Sequence, residues 1–193
     1  MIRFLFREQI LIPLLIFIIV SVSAIPIFTH LLKTPSNTYY SMVSNYVPDY
    51  YQYISHMKDG ADGKILMTFR SSPDNFQRKP VYLFYTLAGF FISKTGIDLF
   101  IGFFLIKIVL SFIKFTVVYF LIYKLFPKLT GLRILSFFFI LLSTPFYKLQ
   151  PLQIYYPTIT SIDSFVRVLF IPHDLAASTA LILAVIFFNQ WLK

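Results

Sequence analysis

The stretch Ile10-Leu11-Ile12-Pro13-Leu14-Leu15-Ile16-Phe17-Ile18-Ile19-Val20-Ser21-Val22-Ser23-Ala24-Ile25-Pro26-Ile27-Phe28 carries no charged side chain. As a helix rising ~1.5 Å per residue it covers the ~30 Å hydrocarbon core of a bilayer. A secretory signal would have a shorter apolar core, of ~7–15 residues, ending at a small-residue cleavage site. Ser21-Val22-Ser23-Ala24 is a poor site of that kind and apolar residues continue past it, so an uncleaved anchor is expected. Arg3 and Arg7 precede the stretch against a single Glu8, which places the N-terminus in the cytoplasm and the following loop outside.

Composition points the same way. The chain is 58% hydrophobic, 20% aromatic and 13% charged, where a soluble domain carries roughly 25% charged residues. Its mean hydropathy is +0.75. The net charge of +9 is spread among apolar runs rather than gathered on a polar face, which argues against a nucleic-acid partner. The absence of cysteine excludes disulfides, thiolate catalysis and zinc-thiolate sites.

Outward from the first span, Lys33 to Asn45 is polar and turn-rich. Asn45 is placed to cap a short helix opening near Pro48, in which Tyr50, Tyr53, Ile54 and Met57 form one apolar stripe. This helix is expected to lie along the membrane surface and to end at Gly60. Residues 81–93 form a second apolar piece too short to span, stopping at Lys94-Thr95-Gly96. Lys107 and Lys114 share a face of the next span, which meets other helices or water unless one lysine snorkels. Lys124, Lys128 and Arg133 surround Pro127 and Gly131 in a basic turn read as cytoplasmic. The expected architecture is an all-α polytopic membrane helix bundle in a single membrane domain. Its four spans fall at about 10–30, 98–124, 132–147 and 175–192, with outward loops at about 34–97 and 148–174 and both termini cytoplasmic.

Chemistry is sought in the loops. Four of the eight acidic residues (Asp49, Asp59, Asp62 and Asp74) lie between Pro48 and Lys79. Asp49, just beyond the first span, could act as general base or bind a divalent metal, or could merely favour the positive end of its own helix. Asp59 and Asp62, beside glycines, read as turn acids. Arg78 and Lys79 could grip a lipid-linked phosphate or snorkel to headgroups. Asp163 and Arg167 are spaced for a local ion pair. His173-Asp174 opens the last span, where Asp174 suits a cap and His173 could wall a site. His30, His56 and His173 lack metal-ligand spacing, so no metal site is assigned, and no catalytic-triad or nucleotide-binding motif stands in the chain.

The layout of Asp49, Tyr53, Met57 and Gly60, then Pro80-Val81-Tyr82-Leu83-Phe84-Tyr85 and Gly89, then Thr95-Gly96, resembles the N-terminal part of the GT-C membrane glycosyltransferases. These include the protein O-mannosyltransferases and aminoarabinose transferases. The resemblance implies transfer of a sugar from a polyprenyl-phosphate donor to an acceptor on the outer face of a bacterial-type cytoplasmic membrane. Asp49 takes the acceptor role it implies. Arg78, Lys79, Arg167 and His173 are the candidates for holding the donor phosphate. Tyr50 follows Asp49 where many relatives carry an acidic pair, which leaves a divalent metal open. Relatives have eight or more spans, so the chain is expected to be part of a larger domain or to need a partner subunit supplying further helices. The rival expectation is a non-enzymatic membrane protein, a transporter fragment or assembly partner, with its polar residues in mid-membrane.

Overall fold

The computed structural model describes residues 2–38, 40, 47–66, 82–142 and 171–191. Among these residues there is no strand; the helices are α1 (Ile2–Lys33), α2 (Val47–Ala61), α3 (Leu83–Ser93), α4 (Leu99–Leu125), α5 (Thr130–Leu142) and α6 (Pro172–Trp191). Three of them, α1, α4 and α6, are long and apolar enough to cross a membrane. The expected third span at about 132–147 corresponds to α5, whose 13 residues cover only ~20 Å; residues 143–147 lie outside the described ones. As expected, α3 is short, at 11 residues.

Pro13 and Pro26 sit within α1 without ending it, as membrane helices tolerate when nearby groups re-satisfy the backbone. The Thr29 hydroxyl donates to the Pro26 carbonyl at 2.9 Å. Ile12, Ile16, Ile19, Val20, Ala24 and Ile27 are buried along one face of α1, while Leu14, Phe17, Ile18, Val22 and Ile25 are exposed. Such exposed apolar side chains are suited to lipid. Three hydroxyls in α4 and α6 bond back to their own backbone: Ser111 to the Lys107 carbonyl at 2.7 Å, Thr116 to Phe112 at 2.8 Å and Thr179 to Leu175 at 2.6 Å. No neighbouring helix is needed to satisfy them. The chain forms two compact units, Met1–Ile25 with Lys107–Lys193, and Pro26–Ile106.

The first unit is pinned by an ion pair. Arg133, read above as part of a cytoplasmic basic turn, stands on α5 and is only 2% exposed. Its Nε donates to Glu8 Oε1 and its Nη2 to Glu8 Oε2, each at 2.7 Å. Nη1 donates to the carbonyls of Phe126 (2.9 Å) and Pro127 (2.8 Å), and Nη2 also reaches the Thr130 hydroxyl at 2.7 Å. Each of the five N–H donors of the guanidinium therefore has an acceptor. The guanidinium carbon lies 4.8 Å from the centre of the Tyr123 ring, and the Tyr119 hydroxyl donates to Glu8 Oε1. One side chain thus ties α1, the end of α4, the 126–129 turn and α5. On the same α4, Lys107 is 2% exposed and Lys114 half-buried, so their shared face meets protein.

The second unit is built on contact between α2 and α3. The stripe Tyr50, Tyr53, Ile54 and Met57 is buried, as its spacing predicts. Gly60 lies inside α2 rather than ending it. The helix closes through Gly63 at φ +80, with Gly63 N–H donating to the Gly60 carbonyl (2.9 Å) and Lys64 N–H to the Asp59 carbonyl (2.8 Å). That is the two-bond closure in which a left-handed glycine satisfies the last carbonyls. Gly60 serves another purpose: a Cβ there would stand 2.7 Å from Thr86 Cα, and one on Gly89 would stand 2.6 Å from Met57 Cα. The two glycines let the backbones cross in contact. Thr86 reinforces the joint, its hydroxyl donating to the carbonyls of Leu83 (3.1 Å) and Ile65 (3.3 Å). Gly96, at φ +72, follows the end of α3, and Asp98 caps α4 by accepting the N–H groups of Phe100 (2.9 Å) and Ile101 (3.2 Å).

Two outcomes follow for purified protein unfolded reversibly in detergent. Gly60→Ala and Gly89→Ala each push backbone against backbone and should lower stability by about 1–3 kcal/mol, the usual penalty of overpacking. Gly131→Ala, with open space around its position, should leave stability unchanged or slightly raised. Glu8→Gln or Arg133→Met should each cost about 3–5 kcal/mol by stranding a buried charge or its partners. The double variant should cost clearly less than the sum, and strict additivity would exclude the coupling.

Candidate functional site

Local helical geometry sets the arrangement around Asp49. It stands exposed in the first turn of α2, where its negative charge favours the positive end of the helix. Gln52, Tyr53 and His56 follow at i+3, i+4 and i+7, so one side of α2 carries a polar stripe adjoining its buried apolar one. The stripe grades from water to interior: Asp49 and Gln52 are exposed, while Tyr53 and His56 are buried.

Tyr82, immediately before α3, covers this stripe. Its ring stacks on His56 with centroids 4.7 Å apart and planes 20° from parallel, and its hydroxyl lies 3.5 Å from Gln52 Nε2 as acceptor of a long hydrogen bond. The Tyr82 backbone is left-handed, at φ 64 and ψ 25, a conformation that costs a bulky side chain on the order of 1–3 kcal/mol. Ring packing offsets that strain. Tyr53 stacks on Tyr85 at 4.6 Å and 14°, Tyr85 lies 6.2 Å from Phe103, and Tyr50 meets Phe103 edge-on at 5.3 Å. Burial pushes the Tyr50 phenol up to about 12, with Tyr53 adding to the shift. Stacked and edge-to-face rings of this kind contribute about 0.5–1.5 kcal/mol per pair beyond area burial.

The sequence-derived site residues are distributed as follows. Asp49 belongs to the second unit. His173 belongs to the first, in the opening turn of α6, with its Nε2 3.6 Å from Asp174 Oδ1. Asp174 is an acid of that first turn, and Pro172 takes the opening helical position for which its fixed φ is suited. Arg78, Lys79, Asp163 and Arg167, like the expected cap Asn45, lie outside the described residues.

Asp62 does end α2 as a turn acid, paired at 2.7 Å with Lys58. Asp59 is not one: it is a buried residue of the helix itself. Gln52, His56 and Tyr82 were not anticipated as site residues. The register of Gln52 and His56 relative to Asp49 could have been read from the sequence; the position of Tyr82, 30 residues from Gln52, could not. Among the described residues no group of three or more His, Asp or Glu side chains is arranged to hold a metal ion.

The arrangement supplies a water-facing carboxylate, an amide and a phenol on a stiff aromatic base. It could bind and orient a hydroxyl-bearing molecule and accept a proton from it. Compared with known protein families, with curated proteins and with solved structures, the chain has no match.

The raised Tyr50 value fixes the sign of an alkaline effect. An unfolded tyrosine ionises near 10, whereas the buried phenol holds its proton to about 12. Its contribution to stability is therefore fully present below pH 10 and is lost as pH rises through about 12. Tyr50→Phe should flatten the stability profile over that interval in an alkaline unfolding series; an unchanged profile would place the loss on other groups.

Proposed function

We propose that the chain is part of a membrane glycosyltransferase of the GT-C type, moving a sugar from a polyprenyl-phosphate carrier to an acceptor hydroxyl outside the membrane. In this reading α5 and the residues after it complete a fourth span. Both termini are cytoplasmic, and the membrane is a bacterial-type inner membrane. The supporting observation is the position of Asp49, exposed on the first turn of a short helix held rigidly by the Gly60 and Gly89 crossing.

The chemistry asked of it is limited. The Asp49 carboxylate takes the proton of the acceptor hydroxyl as that oxygen bonds to the anomeric carbon. The bond from that carbon to the phosphate oxygen breaks, and the polyprenyl phosphate leaves with the electron pair. Arg78 and Lys79, in the same stretch of chain as Asp49, would neutralise the departing phosphate, as guanidinium and ammonium groups do well. A divalent metal is left open as an additional aid. Helices completing the enzyme would come from a longer chain or a partner subunit.

The second reading, a transporter fragment or assembly partner, is favoured by Lys107, buried to 2% exposure within a helix apolar enough to span.

Membranes containing the complete active protein separate the two. Asp49→Asn should abolish transfer of sugar from a polyprenyl-phosphate donor, by at least ~10²-fold for loss of a general base, with insertion unchanged. Transfer retained by that variant would sink the assignment.

A further inference from the structure

We infer that Gln52 and Tyr82 form, beside Asp49, a subsite that reads the hydroxyls of a neutral carbohydrate acceptor. This inference rests on the proposed role of Asp49 and adds the acceptor class to it.

The argument is one of matched chemistry. The Gln52 amide and the Tyr82 hydroxyl each donate and accept hydrogen bonds, as do the neighbouring hydroxyls of a sugar. They are already 3.5 Å apart. Both lie on the side of α2 that carries Asp49, Gln52 one helical turn from it. An anionic ligand at this pair would be repelled by the exposed Asp49 carboxylate beside it.

Tyr82 is also held in place on both sides of its role. Its left-handed backbone turns the ring onto α2, and stacking on His56 at 4.7 Å covers one ring face. The half-buried phenol has little conformational freedom left to lose when a ligand binds, which favours a preorganised contact. A glycine would adopt this backbone without strain, and it would provide neither the ring nor the hydroxyl.

The test uses the full chain in lipid nanodiscs, with methyl hexosides and an acetylated Ser-Thr peptide amide as probes, read by saturation-transfer NMR. Saturation should pass to the sugar ring protons and not to the peptide. Tyr82→Phe and Gln52→Ala should each weaken binding roughly fivefold, about the value of one net hydrogen bond. Tyr82→Phe keeps the ring and should melt as wild type does.

Absence of glycoside binding, preference for the peptide, or binding indifferent to both substitutions would each overturn the subsite. If such a result came from protein whose transfer depends on Asp49, the transferase assignment would stand and only the acceptor class would fall. Sugar binding weakened by both substitutions, with transfer unaffected by Asp49→Asn, would keep the subsite and remove the transferase.

Discussion

A guanidinium buried among apolar helices is tolerable only if its charge is matched and its donors are met, because no water is there to do either. Arg133 satisfies both conditions at once. Glu8 supplies the opposite charge through two parallel bonds, and the Phe126 and Pro127 carbonyls with the Thr130 hydroxyl take the remaining donors. The same bonds satisfy carbonyls beyond the end of α4. The turn between α4 and α5 is therefore held by a side chain rather than by its own residues alone. Removing the arginine takes its donors at once from the Glu8 carboxylate, the Phe126 and Pro127 carbonyls and the Thr130 hydroxyl, so the clasp acts as a unit.

The second unit answers a different constraint, that of distance. Where two helix backbones touch, no Cβ fits, and Gly60 and Gly89 occupy the two reciprocal positions. Close approach brings Tyr53 against Tyr85 and lays Tyr82 across His56, and the stacked rings then resist sliding. A short amphipathic helix such as α2 is marginal alone. Packed in this way it becomes a firm mount for Asp49, whose usefulness as a base depends on being held at a fixed place.

Much of this was legible in the chain. Uncharged runs announced the helices that suit a membrane, since period and length are local properties. The stripe Tyr50, Tyr53, Ile54 and Met57 announced the buried face of α2, and Lys94-Thr95-Gly96 the end of α3. Local reasoning went astray where a residue had two uses. Gly60, followed by Asp62 and Gly63, looked like a terminator, but Gly63 performs that task and Gly60 is spent on packing. Arg133 looked like one more cation in a basic turn because its partner stands 125 positions away. Asp59 looked like a turn acid beside a glycine, yet it is a buried helical residue because α2 continues past it.

The sequence by itself determined the helical class, the apolar segments suited to a bilayer, and Asp49 as a carboxylate at the start of a short helix. These depend on hydropathy and on a period of 3.6 residues, which neighbouring positions carry. Tertiary structure alone decided that Glu8 clasps Arg133, that Lys107 is buried, and that Tyr82 stands over Gln52 and His56. Those outcomes join residues far apart in the chain, and their energies exist only once desolvation and close packing have brought the partners together.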